Sequence, residues 1–286
     1  MLPFRRVLFP VDYSQPCEAI VPYVADMVRH FNAELTLAHA YGPYNVNYSD
    51  ILAADTEWGQ RVQGFEEGRL EKFACSAFPS LRADLRVKQG EPADVIKSIV
   101  DHEGTDLVMM PTRGQGILRR FLLGSVTAKM LHDATTAIWT GVGSALDGHH
   151  AEIPYRSIVC ALDSTEDAEV VLRAAASLAK SYDAKLSLVH VVVIPPPTSE
   201  IDFSISPQEL MDAAEQTLQA LKSKLGIEAP HLITDAPIVD GIRAEALNRK
   251  ADLPVVGRGS AQAAVSRIWS HLYTLIRESP CPVLSI

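Results

Sequence analysis

The sequence is poor in the residues that mark a disulfide framework or a metal centre. It has four cysteines in 286 residues, and none of them forms a C-x-x-C pair or lies near paired histidines. This spacing argues against a structural zinc site and against the disulfide scaffold of a small secreted domain. Because unpaired thiols fit a reducing compartment, we expect the protein in the cytoplasm.

Long apolar runs and clusters of basic residues are also missing. No stretch of 18 apolar residues occurs, which argues against a membrane span, and Asp12 follows Arg5 and Arg6 too closely for the apolar part of a signal peptide. The net charge of −9 argues against nucleic-acid binding, because such binding needs clustered Lys and Arg. We therefore expect neither a membrane nor a nucleic acid as a partner.

Several catalytic and phosphate-binding motifs are absent as well. The sequence contains no G-x-x-x-x-G-K-[ST], no G-x-G-x-x-G after the first predicted strand, no H-E-x-x-H, no kinase signature set and no G-x-S-x-G. No serine or cysteine has a recognisable base, so we predict no catalytic residues. His39 and His190, each alone at a predicted strand end, are predicted to be structural. The sequence favours binding over turnover.

An internal repeat is what the chain does contain. Residues 6–14 return as 157–165, and residues 31–39 return as 182–190, both at an offset of 151 residues. A repeat of this length indicates two copies of one domain joined by a short linker. The predicted domains are residues 1–146 and 153–286.

The glycines of the first copy are not kept in the second. At an offset of 146, Gly114 falls on Ser260 and Gly124 falls on Ser270. We attribute the change of offset to a five-residue deletion in the fourth helix of the second copy, and the pairing of Pro92 with Pro237 is the alternative alignment. Backbone glycines at this spacing suit a phosphate. The chain is therefore predicted to hold one nucleotide site and one degenerate copy of it.

Alternating apolar runs and amphipathic stretches predict the fold. In the first copy, strands are expected at 7–11, 35–40, 85–89, 106–110 and 137–140, with helices between them. Short, almost wholly apolar runs are typical of strands that a parallel sheet buries on both faces. The predicted class is α/β, with two tandem doubly wound domains. In the predicted helix at 55–78, the solvated side is expected to carry Glu66, Glu67, Arg69, Glu71 and Lys72.

Candidate ligand-binding residues lie at three predicted strand ends. In open parallel sheets, ligands bind beyond the carboxyl ends of the strands, near the point where the strand order reverses. The helix that begins after Gly124 offers free amides and the positive end of its dipole to an anion. The predicted binding residues are Asp12, Ala40, Met110, Arg113, Gly114, Gly124, Ser125 and Val126. In the alternative interpretation, Asp12 only caps a turn and Gly124 only begins a helix.

Four segments of the first copy resemble the universal stress protein family: residues 7–14, 33–39, 90–92 and 122–126. In the second copy, residues 278–284 resemble the family's last strand. The chain is identified as a tandem member, with both copies similar to the family from end to end. The resemblance implies five-stranded parallel domains of the Rossmann-like type. In the family's ATP-binding pattern of G-x-x-G, nine residues and G-[S/T], Pro111 replaces the first glycine, while Gly114, Gly124 and Ser125 match.

The resemblance also implies roles for these residues. Asp12 would face the ribose or the adenine, Ala40 would offer its backbone to the adenine, and the residues from Gly114 to Val126 named above would hold phosphates. The implied ligand is ATP or ADP, with Mg²⁺ as a possible companion. Members of the family pair through the last strand, so the two halves are expected to form a pseudo-dimer within the chain, and a further homodimer is possible.

Three functions stay open on the sequence alone. The first is a cytoplasmic stress-response regulator that binds ATP or another adenine nucleotide in the first domain and signals through conformation or partner choice. The second is a scaffold that works without a nucleotide, because Pro111 has closed the site. The third is an enzyme that consumes ATP, at most slowly, and it is disfavoured because no residue stands out as a general base or a metal ligand.

Overall fold

The chain folds into two compact units, Pro3–Leu146 and Asp147–Ile286. The computed structural model describes residues 3–42, 56–114, 123–141, 153–163, 167–194, 206–258 and 267–286, without the side chains of 56–58 and 267–270. Over these residues, no helix combines the length and the hydrophobicity that crossing a bilayer needs.

The first unit is a parallel sheet with strand order β3-β2-β1-β4-β5. Its described elements, in chain order, are β1 (Arg6–Pro10), α1 (Gln15–Ala19), α2 (Val21–Phe31), β2 (Glu34–Tyr41), α3 (Thr56–Ala77), β3 (Ala83–Gln89), α4 (Pro92–Glu103), β4 (Leu107–Pro111), α5 (Ser125–Asp133) and β5 (Ala137–Gly141). The strand order reverses at β1, which lies between β2 and β4. The expected strands all occur, and their bounds differ from the expectation by at most two residues.

The second unit repeats this plan with strand order β8-β7-β6-β9-β10, again with parallel pairs. Its described elements are β6 (Ser157–Leu162), α6 (Ala168–Tyr182), β7 (Lys185–Val191), α7 (Pro207–Leu225), β8 (His231–Thr234), α8 (Ile238–Asn248), β9 (Leu253–Val256), α9 (Arg267–Glu278) and β10 (Val283–Ser285). The predicted class, α/β with two doubly wound domains, is confirmed.

Burial explains why these segments form strands and helices. Every residue of β4 and β5 is buried, as expected for strands of a parallel sheet that are covered on both faces. On α2, the apolar side chains recur at helical spacing, and Tyr23, Val24, Met27 and Val28 are buried against the sheet. Tyr23 meets the fully buried Trp139 of β5 with ring centroids 5.3 Å apart. This packing closes one face of the sheet.

In each unit, an aspartate side chain accepts hydrogen bonds from the backbone at the start of the central strand. Asp106 accepts hydrogen bonds from the backbone N–H groups of Arg5 and Arg6, at 2.8 and 3.0 Å. In the second unit, Asp252 accepts from the backbone N–H groups of Arg156 and Ser157, at 2.7 and 2.9 Å. The two copies therefore share these hydrogen bonds as well as their strand order.

The predicted alignment of the two copies is wrong at the third strand. Leu37 pairs with Leu85 in the first sheet, and its counterpart Leu188 pairs with His231 in the second. The offset is therefore already 146 at this strand, and the missing residues lie between the second and third strands rather than in the fourth helix. Connections tolerate changes in length better than a helix that is packed on a sheet.

The starts of the fourth helices agree with this corrected alignment. Glu91 and Pro237 hold the N-cap positions of α4 and α8, again at an offset of 146. This differs by one residue from the alternative pairing of Pro92 with Pro237. Gly241, which falls on Gly90 at an offset of 151 residues, lies inside α8, whereas Gly90 precedes α4 with φ +151°.

Helix α3 differs from the prediction at one of its charged residues. Glu67, Arg69, Glu71 and Lys72 are exposed as expected, but Glu66 is only 3% exposed. The predicted exposure of Glu66 was wrong. Helical periodicity shows which residues share a face of the helix, but it does not show which polar side chain on that face meets a partner from a strand.

The glycines of α3 allow a test of helix stability. A Cβ added at Gly64 would meet no atom within 4 Å, so Gly64→Ala should raise the free energy of unfolding by about 0.5–1 kcal/mol, because alanine loses less backbone entropy in a helix. The measurement is urea unfolding followed by tryptophan fluorescence. Gly141→Ala is the opposite control, since its Cβ would overlap the buried Ile20 side chain and should cost about 1–3 kcal/mol. A Gly64→Ala protein that unfolds earlier contradicts this account of α3.

Candidate functional site

A cavity of about 410 Å³ opens at the carboxyl ends of β1, β2 and β4, where the strand order reverses. This is the place where open α/β sheets bind their ligands, and the volume lies in the usual range for small-molecule pockets. The wall combines three strand ends with the start of α5 and parts of α3 and α4. Its residues are Pro10, Val11, Asp12, Tyr13, Ala38, His39, Ala40, Arg69, Pro92, Val95, Ile96, Met110, Pro111, Gly114, Gly124, Ser125, Val126 and Thr127.

The cavity brings together seven of the eight residues that the sequence singled out. They are Asp12, Ala40, Met110, Gly114, Gly124, Ser125 and Val126. Arg113 is the exception, because it lies beside Gly114 without lining the cavity. Sequence reasoning placed Arg113 there by its position in the chain, whereas the direction of a loop side chain depends on the local turn.

Asp12 closes the turn between β1 and α1. One carboxylate oxygen, Oδ1, accepts hydrogen bonds from the backbone N–H of Ser14 at 3.0 Å and from its hydroxyl at 2.6 Å. The same hydroxyl oxygen accepts from the N–H of Cys17 and so caps α1. Asp12 therefore has the capping role of the alternative interpretation, and it lines the cavity at the same time.

The second oxygen of Asp12, Oδ2, touches the loop after β4. A Cβ added at Gly114 would collide with this oxygen, so glycine is required by the close approach. A Cβ at Gly124 would lie 3.3 Å from the Cα of Arg113, and the N–H of Gly124 donates to the carbonyl of Thr112 at 2.8 Å. The two glycines therefore let the ends of this loop close against each other and against Asp12.

Helix α5 points its N-terminus at the cavity. Gly124 is its N-cap and supplies no side-chain cap, so the first-turn amides of Ser125 and Val126 have no partner within the helix. Thr127 is buried, and its hydroxyl donates to the carbonyl of Pro111 at 3.0 Å. This bond fastens the helix start to the end of β4. The arrangement presents N–H donors and a positive dipole end, which favour an anion.

Comparison with known proteins decides the family. A model described as the universal stress protein family matches this chain twice, over residues 3–140 and 154–286. The chain belongs to the universal stress protein family. The resemblance read from the sequence segments is thereby confirmed for both copies.

Individual relatives agree with this assignment. A universal stress protein of Thermus aquaticus, named for its position in the QAH/OAS sulfhydrylase 3′ region, is 28% identical over 131 residues, which cover 46% of this chain and 93% of the relative. The crystal structure of a universal stress protein from Archaeoglobus fulgidus has the same fold, with a TM-score of 0.65 at 20% identity over 98% of this chain and 97% of that one. A universal stress protein solved in complex with cAMP is 22% identical over 48% of this chain and 95% of its own, with a TM-score of 0.34.

This universal stress protein has proline at the first position of the family's glycine pattern. Pro111 is the last residue of β4, pairs with Gly141 of β5 and lines the cavity. The chain leaves the sheet through Thr112, whose N–H donates to the carbonyl of Gly141 at 2.8 Å. A cavity of about 410 Å³ remains with Pro111 in its wall, so Pro111 does not fill it.

Tyr13, His39 and Arg69 are among the cavity residues that sequence reasoning did not assign to the site. Tyr13 has a left-handed backbone, with φ 60°, which is unusual for a bulky side chain and is often found at functional sites. The Arg69 guanidinium lies over the Tyr13 ring, 3.8 Å from its centroid. Burial raises the pKa of Tyr13 to about 12, so the phenol stays neutral and the face of its ring attracts the cation.

Two buried charged or polar side chains support this wall. Glu66 lies 3.5 Å from Nε2 of His39 and 3.7 Å from the Arg69 guanidinium. His39 Nδ1 lies 2.7 Å from the carbonyl oxygen of Val11, and in the second unit His190 Nδ1 lies 2.9 Å from the carbonyl oxygen of Leu162. Both histidines link two neighbouring strand ends through these contacts, and that their role is structural stays a prediction.

The corresponding loop of the second unit lies largely outside the described residues. Ser260 and the side chain of Ser270 fall there, whereas His271 is exposed on α9. Gly257 is described, and a Cβ at this position would lie 2.9 Å from the Val171 side chain. The degenerate character of the second copy therefore stays a prediction.

The cysteines divide into one exposed and three buried thiols. Cys75 is exposed on α3, whereas Cys17, Cys160 and Cys281 are buried. Burial raises the pKa of Cys17, beneath the Asp12 turn, and that of Cys281 to about 12, and it raises the pKa of Cys160 as well. Because the thiolate is the nucleophile, a pKa near 12 leaves a thiolate fraction of about 10⁻⁴ at pH 8.

Thiol titration tests this burial. At pH 8, the folded protein should react rapidly with Ellman's reagent at one thiol per chain, and the urea-unfolded protein should react at all four. Cys75→Ser should remove the rapid phase and leave the slow one. Rapid modification of any thiol in the folded Cys75→Ser protein contradicts the burial of Cys17, Cys160 and Cys281.

Proposed function

We propose that this universal stress protein binds ATP or another adenine nucleotide in its first unit and acts as a stress-response regulator through that binding. The observation that carries the proposal is the cavity at the strand-order reversal, with the N-terminus of α5 on one side and the end of β2 on the other. An elongated ligand with an anionic end and a planar end fits such a wall.

The phosphates of the nucleotide belong at the α5 side. The first-turn amides of Ser125 and Val126 offer donors, and the Ser125 hydroxyl adds another. Gly114 brings the backbone of the loop close to Asp12, which leaves no Cβ between the loop and a phosphate. Arg113 belongs to the same loop but does not line the cavity.

The adenine and the ribose belong at the β1 and β2 side. Ala40 lines the cavity near the end of β2 and offers backbone groups to the base. Asp12 lines the cavity beside the end of β1, and its carboxylate is the group that accepts from a ribose hydroxyl or from the adenine. Met110 adds apolar surface at the end of β4.

Two further expectations concern the metal ion and the cell compartment. In the described part of the chain, no group of three or more His, Cys, Asp or Glu side chains is suited to hold a metal, so we expect any Mg²⁺ to enter with the phosphates of ATP. The free thiols of Cys17, Cys75, Cys160 and Cys281 fit a cytoplasmic location.

The homodimer stays a prediction, which analytical ultracentrifugation of the full chain tests.

The test begins with the natural ligand. Freshly purified protein is denatured, the released small molecules are identified by mass spectrometry, and ATP is titrated calorimetrically into stripped protein. We expect about one adenine nucleotide per chain and a matching stoichiometry by calorimetry. No released nucleotide and no binding heat contradict the proposal and favour the scaffold that works without a nucleotide.

Ser125→Asp tests where the phosphates lie. An acidic residue in the first turn suits the helix dipole, so α5 should keep its stability, while the new carboxylate repels the phosphates and should weaken ATP binding at least tenfold, about 1.4 kcal/mol. The measurement is the same calorimetric titration. Ser125→Ala should lose far less, because the amides remain.

The charge-matched control is Gln60→Glu, an exposed position on α3 that does not line the cavity. It changes the net charge of the protein by the same amount as Ser125→Asp, and ATP affinity should stay within twofold of the wild type. Equal losses in the two acidic variants mean that net charge, rather than the α5 cradle, controls binding, and they place the phosphates elsewhere.

A further inference from the structure

The stacked pair of Arg69 and Tyr13 stands apart from the phosphate cradle. Arg69 lies on α3, contacts Tyr13 after β1 and approaches Glu66, which in turn approaches His39 on β2. The cradle lies after β4, on the other side of β1. Because neighbouring strands are about 4.8 Å apart, the ends of β2 and β4 are separated by roughly 10 Å. Arg69 is therefore on the side of the cavity where the proposed nucleotide has its base.

The Arg69 guanidinium lies over an aromatic ring that other side chains hold in place. Its Cζ lies 3.8 Å from the centroid of Tyr13, and the Tyr13 ring is itself fixed against Phe73 and His39, at centroid distances of 5.8 and 4.7 Å. The nearest oxygen of Glu66 is 3.7 Å away, which is longer than a hydrogen bond. Glu66 therefore attracts the cation by charge, and the fixed Tyr13 ring is the surface over which the cation lies.

One face of the guanidinium remains available to a ligand. The Arg69 side chain is 45% exposed and lines the cavity, although Tyr13 covers one of its two faces. A guanidinium is planar, weakly hydrated and stacks well on aromatic rings, and nucleotide bases stack on arginine planes as they do on aromatic side chains. The uncovered face thus offers a flat, cationic platform next to the end of β2.

We propose that Arg69 is a base-contacting residue, on whose uncovered face the purine of the bound nucleotide stacks to form three layers with Tyr13. This inference rests on the proposed function and adds the residue that holds the base. Stacking recognises the face of the purine and not its hydrogen-bonding edge, so Arg69 should strengthen the binding of adenine and guanine nucleotides alike. Any choice between them falls to the backbone near Ala40.

The experiment compares two ligands on the full chain. ATP and ribose 5-triphosphate, which keeps the sugar and the phosphates but lacks the base, are titrated calorimetrically into the wild type, Arg69→Ala and Arg61→Ala. Arg61 is an exposed residue of the same helix outside the cavity wall, so its removal controls for the lost positive charge. Arg69→Ala should weaken ATP binding roughly tenfold and leave ribose 5-triphosphate binding within twofold, with the thermal midpoint recorded for every variant.

The outcomes separate the inference from the function on which it rests. A wild type that binds no nucleotide overturns both. Unchanged ATP affinity in Arg69→Ala, beside a wild type that binds, overturns the stacking role alone. Equal losses for ATP and ribose 5-triphosphate mean that Arg69 contacts the phosphates or supports the fold, and equal losses in Arg61→Ala mean a general effect of charge. Each of these two results also overturns the stacking role.

Discussion

The Asp12 carboxylate is the contact on which the geometry of the cavity depends. One oxygen binds the backbone and the hydroxyl of Ser14 and so sets the exit of the chain from β1 into α1. The other oxygen faces the loop after β4 so closely that only glycine fits at position 114. The same turn holds Tyr13 with a left-handed backbone, and this places its ring under Arg69. A single side chain thus connects the two ends of the site.

The sheet separates these two ends by placing β1 between β2 and β4. On the β4 side, glycines and the start of α5 expose backbone amides, which suit a phosphate because they carry partial positive charge without bulk. On the β2 side, Glu66 and His39 are buried beneath Arg69 and Tyr13, so side chains rather than backbone form the wall. The cavity therefore has backbone amides at one end and the Arg69 cation over Tyr13 at the other, so its polar groups change along its length.

Comparison with the second unit shows which contacts of the first unit hold the sheet together. Its central strand has the same order of neighbours, and Asp252 and His190 repeat the contacts of Asp106 and His39 with the neighbouring backbone. These contacts hold strand ends together, so any copy of the fold needs them. Gly114 and Gly124 serve the loop and the helix start instead, and the second sequence has serine at the positions aligned with them. The repeat thus keeps the residues of these sheet contacts but not these two glycines.

The sequence by itself determined the strands, the doubly wound class, the family and seven of the eight predicted cavity residues. Apolar periodicity and glycine position act locally along the chain, and the carboxyl ends of parallel strands necessarily meet at one edge. Only the tertiary structure decided that Glu66 is buried, that Arg69 lines the cavity, that Arg113 does not, and that the two copies differ in length before the third strand. These features depend on which residues from distant parts of the chain pack against a given side chain, and local patterns do not contain that information.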